Sequence, residues 1–255
     1  MNRTLRNAYF TLVYGFLYLP IAVLIAYSFN ASKYSTSWGG FSLRWYDKLF
    51  GNELLLDAAL NSLLVATLSA TGATLIGALG AVALYRYRFR GRTSLSALLY
   101  IVMMAPDIVM GISLLLLFVV LHVSLGLWSL LLAHVTLCLP FVVVTVNSRL
   151  AGFDAKVVEA ARDLGASEAQ AFYRVILPMI LPAVAAGWLL SFTLSLDDVV
   201  IAFFVTGPTF EILPLKIYSM VRLGVKPEVN ALCTLILALS LGLVLIAQYL
   251  LREKR

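Results

Sequence analysis

Charge is scarce in this sequence. Only 13% of its 255 residues are Asp, Glu, Lys or Arg, against roughly 25% in an average globular protein. Hydrophobic residues make up 62% of the chain, and the mean hydropathy is +0.95. A soluble domain of this length has too little interior to hide so many apolar side chains. The same numbers exclude a disordered chain and a secreted disulfide scaffold. The two cysteines, Cys138 and Cys233, lie alone in apolar stretches and are read as small core residues. The two histidines, His122 and His134, stand apart from other ligand-type residues and are read as structural too. No Gly-x4-Gly-Lys-[Ser/Thr] run is present; Gly72, Gly77 and Gly80 fall in an apolar stretch without the lysine that a phosphate cradle needs. The chain is therefore not expected to hydrolyse ATP. No metal cluster or nucleophile–base pair points to an integral membrane enzyme. These absences together describe an integral membrane protein.

Long apolar runs are abundant. Crossing the hydrocarbon core takes about 20 mostly apolar residues, and six stretches qualify: 8–29, 60–84, 95–120, 128–147, 177–205 and 231–251. The first follows Arg3 and Arg6, as a signal peptide would. Its length exceeds the roughly 7–15 apolar residues of a cleavable signal, so it reads as a retained anchor. The expectation is an all-α, polytopic membrane protein, one domain over 1–255, with six transmembrane helices. Ser69, Ala73, Gly77 and Ala81 recur every fourth residue in the second stretch. Such a face of small residues lets helices approach closely, within the subunit or with a partner.

The basic residues give orientation. With six spans, 13 of the 19 Lys and Arg fall on the side that holds both termini: Arg3 and Arg6, the run Arg86 to Arg92, the four in 148–176, and those from Arg252 onward. Six fall opposite. The bias predicts cytoplasmic termini. It also accounts for the net charge of +6 without a nucleic-acid partner.

An ionisable residue inside a span is costly and marks a functional candidate. The six stretches contain Asp107, Asp197 and Asp198 and no Lys or Arg. Acids of one sign with no internal cation suit a cationic solute. Asp107 follows Pro106, which removes a backbone donor and loosens the helix; the alternative is that it caps a broken helix. On a continuous fifth helix Asp198 shares a face with Ser195 and Ser191. Asp197 then lies about 100° round, near Thr193, so the two aspartates are not expected to address one spot. Their alternative is a neutral, hydrogen-bonded role at a subunit contact.

The connection 148–176 has a helical pattern of its own. Asp154 is placed to cap a helix over 155–164 that Gly165 stops. Ser167 and Gln170 have capping-box spacing. Val157, Val158, Ala161 and Leu164 share a face, with Lys156, Glu159 and Asp163 mainly opposite. This describes an amphipathic surface element, lying on the membrane or docking a partner.

Within it, Glu159-Ala160-Ala161-Arg162-Asp163-Leu164-Gly165, followed after nine residues by Val175-Ile176-Leu177-Pro178, resembles the EAA motif of ABC importer permeases. Val175, where isoleucine is usual, is the departure. The segment 192–208, Phe41 to Tyr46, and Asn61-Ser62 are similar to the permease subunits of polyamine importers, and the similarity extends over the whole chain. The resemblance implies a type I ABC importer permease fold in a bacterial inner membrane. It implies a coupling loop carrying Glu159, Ala160, Ala161, Gly165 and Glu168, and a substrate pathway with Trp45, Asp107, Ser195, Asp197 and Asp198. Trp45 would add a cation–π contact at the outer mouth or serve as an interfacial anchor. The implied partners are a similar second permease subunit, two ATP-binding subunits holding ATP and magnesium, and a periplasmic polyamine-binding protein. This chain itself would hold no cofactor.

Other readings stay open. A permease of the same class for a metal ion or sulfate would share the EAA loop, although an anionic solute favours basic residues or helix N-termini. An ion-coupled carrier also uses intramembrane acids, but the EAA loop would be unexplained.

Overall fold

Small residues decide how the long helices meet. The computed structural model describes residues 3–33, 37–152, 156–222 and 227–252, and the chain divides into two compact units, residues 1–58 with 216–255 and residues 59–215. In the second unit, α3 (Glu53–Arg86) packs against α6 (Leu127–Ala151). Ser69, Ala73 and Ala81 are completely buried. A Cβ on Gly77 would lie 2.9 Å from Cβ of Val142, so only glycine permits this approach. The small-residue stripe is thus an interface inside the subunit. Val142, Val146 and Cys138 of α6 continue that core to Ile180 of α9 (Leu177–Asp197), and Cys138 is the buried filler expected.

The other helices of this unit are α4 (Arg92–Met104), α5 (Asp107–Val120), α7 (Lys156–Asp163), α8 (Glu168–Ala171) and α10 (Val200–Val205). A wide π-helical turn over Phe172–Ile176 joins α8 to α9. A second core, with Val65, Phe118, Leu130, Ile201 and Val205, lies where α5, α6 and α10 meet.

Two expected spans are not continuous helices. The stretch 95–120 is α4 and α5, bent by 113°. Ala105 and Pro106 are both extended, with ψ of 137° and 133°: proline lacks the donor and excludes helix from the residue before it. The stretch 177–205 ends its first helix at Asp197, and Asp198, with ψ 126°, breaks it before α10. Among the described residues, five helices are long and apolar enough to cross a membrane, and the bent pair brings the number to six if it is one span.

In the first unit, α1 (Arg3–Ser28) packs along α12 (Pro227–Arg252), and α2 (Arg44–Phe50) also sits against α12. Lys48 of α2 pairs with the buried Glu228 at the start of α12. The remaining helix, α11 (Leu213–Arg222), carries the chain from the second unit into the first.

Candidate functional site

The two helix breaks meet at one cavity. About 410 Å³ in volume, it is bordered by Asp107 at the start of α5, by Asp197 and Asp198 at the end of α9, and by apolar side chains including Met103, Phe141 and Leu194. That volume falls in the range of small-molecule sites. Among the described residues, three carboxylates and no Lys or Arg line it.

Asp197 and Asp198 both border this space, but their surroundings differ, as two neighbouring residues on a helix are expected to. Asp198 keeps a helical φ of −66° but has ψ 126°, so the chain after it leaves the axis of α9 beside the space that both carboxylates border. The Asp198 carboxylate accepts hydrogen bonds from the N–H groups of Ile201 (3.2 Å) and Ala202 (2.8 Å). Those are donors that a helix N-terminus leaves unsatisfied, and an anion there also meets the favourable end of the helix dipole. Asp107 occupies the first turn of α5 and is solvent-exposed. One acid thus stabilises its own helix break while the others remain open to the cavity.

Ser195 does not border this space. Buried at 3% exposure, it contacts Ser69 Oγ at 2.9 Å and His134 Nδ1 at 2.6 Å. Nε2 of His134 lies 3.4 Å from Asp198 Oδ2. Sequence reasoning set His134 aside as structural. The signal was available, because a histidine inside an apolar span is as costly as an acid there.

Trp45 belongs to the first unit. It is 4% exposed, and its indole N–H donates to the Asn30 carbonyl at 2.6 Å. Arg44 already lies over its ring at 4.5 Å and Lys48 at 5.6 Å. Two of the chain's own cations thus already lie over the ring.

The EAA segment forms a second local site. The chain reverses after α7 through Gly165 at φ +85°. Gly165 N–H donates to Arg162 O (2.8 Å) and Ala166 N–H to Ala161 O (3.0 Å), the paired bonds of a Schellman turn. Ser167 and Gln170 then exchange side-chain and backbone hydrogen bonds at 3.3 and 2.9 Å, the reciprocal capping expected from their spacing. The cap assigned to Asp154 lies outside the described residues. Glu159 and Ala160 are exposed, and Leu164 is 90% exposed. Glu168 pairs with both Arg86 of α3 and Arg162 of the EAA run; Arg86 had entered the sequence reading only as a topology signal.

Comparison with known proteins follows the same lines. A family model for the binding-protein-dependent transport system inner membrane component matches residues 73–255. The chain is 59% identical over 254 residues to the spermidine/putrescine transport system permease protein PotC of Escherichia coli, with all of this chain and 96% of that one covered. It is 46% identical over 246 residues to the putrescine transport system permease protein PotI of the same species, covering 93% and 87%. A crystal structure of a bacterial ABC transporter involved in alginate import aligns with a TM-score of 0.76 over 100% of this chain and 98% of that one, at 19% identity; this likeness concerns the fold. The chain belongs to the family of inner-membrane components of binding-protein-dependent transport systems.

Proposed function

We propose that this chain is a membrane-spanning subunit of an ATP-driven importer that carries polyamines, spermidine and putrescine, into the cytoplasm. The observation that carries the reading is the cavity bordered by Asp107, Asp197 and Asp198 and, among the described residues, by no Lys or Arg. An ammonium group leaving water needs its lost hydrogen bonds and charge compensation replaced. Carboxylates spread around one cavity do this for a flexible polycation one amine at a time. An anionic solute would meet three like charges. The polyamine-permease names and high identity of the relatives support the same reading.

The energy comes from partners in this account. A similar second permease subunit completes the pathway, two ATP-binding subunits hold ATP and magnesium, and a periplasmic binding protein delivers the solute. The segment with Glu159, Ala160, Ala161, Gly165 and Glu168 is the coupling element, and the exposed Leu164 beside it suits burial against an ATP-binding subunit. The bias of basic residues puts this segment and both termini in the cytoplasm.

The test is uptake by the complete transporter in liposomes. Labelled spermidine or putrescine should accumulate only with internal ATP and external binding protein. Accumulation of sulfate or a divalent metal ion in place of polyamine would overturn the substrate. Uptake driven by an ion gradient without ATP would overturn the mechanism.

A further inference from the structure

Four side chains from separate parts of the second unit form a buried polar line: Ser69 in α3, Ser195 in α9, His134 in α6 and Asp198 at the break before α10. Ser69, His134 and Ser195 are 0%, 0% and 3% exposed, and the Asp198 side chain is 7% exposed. At its inner end, Ser69 Oγ donates to the Val65 carbonyl at 2.6 Å. The line then runs through Ser195 to His134 Nδ1 at 2.9 and 2.6 Å.

The donors in this line can be assigned. The Asp198 carboxylate can only accept, so the ring nitrogen that faces it, Nε2, carries the proton. Nδ1 then accepts from the Ser195 hydroxyl, and the Ser69 hydroxyl lies within reach of both Ser195 Oγ and the Val65 carbonyl. The ring is thereby fixed in orientation, and Nε2 faces Asp198 Oδ2 at 3.4 Å. Nε2 is buried and makes no hydrogen bond. Buried polar atoms in native proteins are seldom left unmatched without a reason. Here it faces the carboxylate that caps α10 and borders the cavity.

We propose that His134 is a positioning residue for transport: anchored through Ser195 and Ser69, it holds the Asp198 carboxylate at the break between α9 and α10 and so sets how that acid is presented to the cavity. The inference rests on the polyamine reading and adds to it a residue that does not border the cavity. Ser195 acquires a role from the same geometry, as the anchor of the histidine rather than as a substrate contact.

The experiment compares His134→Gln, His134→Asn and His134→Leu in the complete transporter, with polyamine uptake normalised to the assembled complex in the membrane. A glutamine amide reaches the place of Nε2, whereas an asparagine amide reaches that of Nδ1. His134→Gln should retain about half of wild-type uptake, while His134→Asn and His134→Leu should fall about tenfold, as for removing the group that faces a buried charge. In an Asp198→Asn background, His134→Leu should cost nothing further, because it acts through that carboxylate. Three outcomes overturn the inference: equal uptake by all three variants, better uptake by His134→Asn than by His134→Gln, or full additivity with Asp198→Asn. A wild-type complex that takes up no polyamine overturns the parent reading and this one with it. Normal wild-type uptake with the wrong order of variants overturns this one alone.

Discussion

Glu168 pairs with Arg86, the last residue of α3, and so ties the segment after the EAA motif to the end of a long helix. The same carboxylate also holds Arg162 within the motif. The Glu168 side chain is 60% exposed, and exposed ion pairs contribute only about 0–1 kcal/mol to stability. The arrangement is better suited to transmitting a displacement than to holding the fold. Glu168→Gln should leave thermal stability in detergent within about 1 kcal/mol of wild type. Uptake should fall between about two- and thirtyfold, the span of typical coupling free energies. Arg86→Gln should act in the same direction. Paired melting and uptake measurements check this; a large stability loss with uptake per complex unchanged would reverse the assignment.

Gly165 supplies the left-handed turn that ends α7. At φ +85° no neighbouring atom lies within 4 Å of where a Cβ would be, so backbone strain rather than crowding opposes substitution. A residue with a Cβ costs about 1–2 kcal/mol there, and asparagine costs less than alanine or valine. Uptake should decline in the order glycine, asparagine, alanine, valine. An order that follows side-chain volume with asparagine below alanine would point to crowding by a partner subunit instead.

Gly111 in α5 lies against α10. A Cβ there would come within 2.6 Å of Phe204 Cδ2 and 3.4 Å of the Ile201 Cα. Gly111→Ala should therefore destabilise the unit by about 1–3 kcal/mol, the usual cost of overpacking. In a Phe204→Ala background, which lacks Cγ and Cδ2, Gly111→Ala should cost less. Thermal unfolding in detergent is the readout, and strictly additive losses would show that the two side chains do not meet.

The long apolar helices were legible because lipid imposes a length and a composition that few other structures share. The EAA segment was equally legible: Gly165, Ser167 and Gln170 act through local backbone bonds, which depend on spacing alone. The break at Asp198 was not. Its neighbours Val199 and Val200 carry no proline or glycine signal, and the carboxylate's capping bonds exist only once the helix has already broken. Pro106 announced a disturbance but not a bend of 113°. Trp45 illustrates a different limit, since whether Arg44 or a solute lies over its ring is decided by tertiary packing. His134 was missed for a simpler reason: histidine was weighed as a metal ligand and not as a buried polar group needing a partner.

The central claim is that the carboxylates around one cavity replace the water of a polycation. The direct measurement is polyamine uptake, per assembled complex in liposomes, by Asp107→Asn and Asp197→Asn, the two acids not engaged in capping α10. Each should lower uptake about tenfold or more, the effect of removing one charge-assisted hydrogen bond from a desolvated cation, with ATP binding by the partner subunits unchanged. Wild-type uptake by both variants would contradict the account.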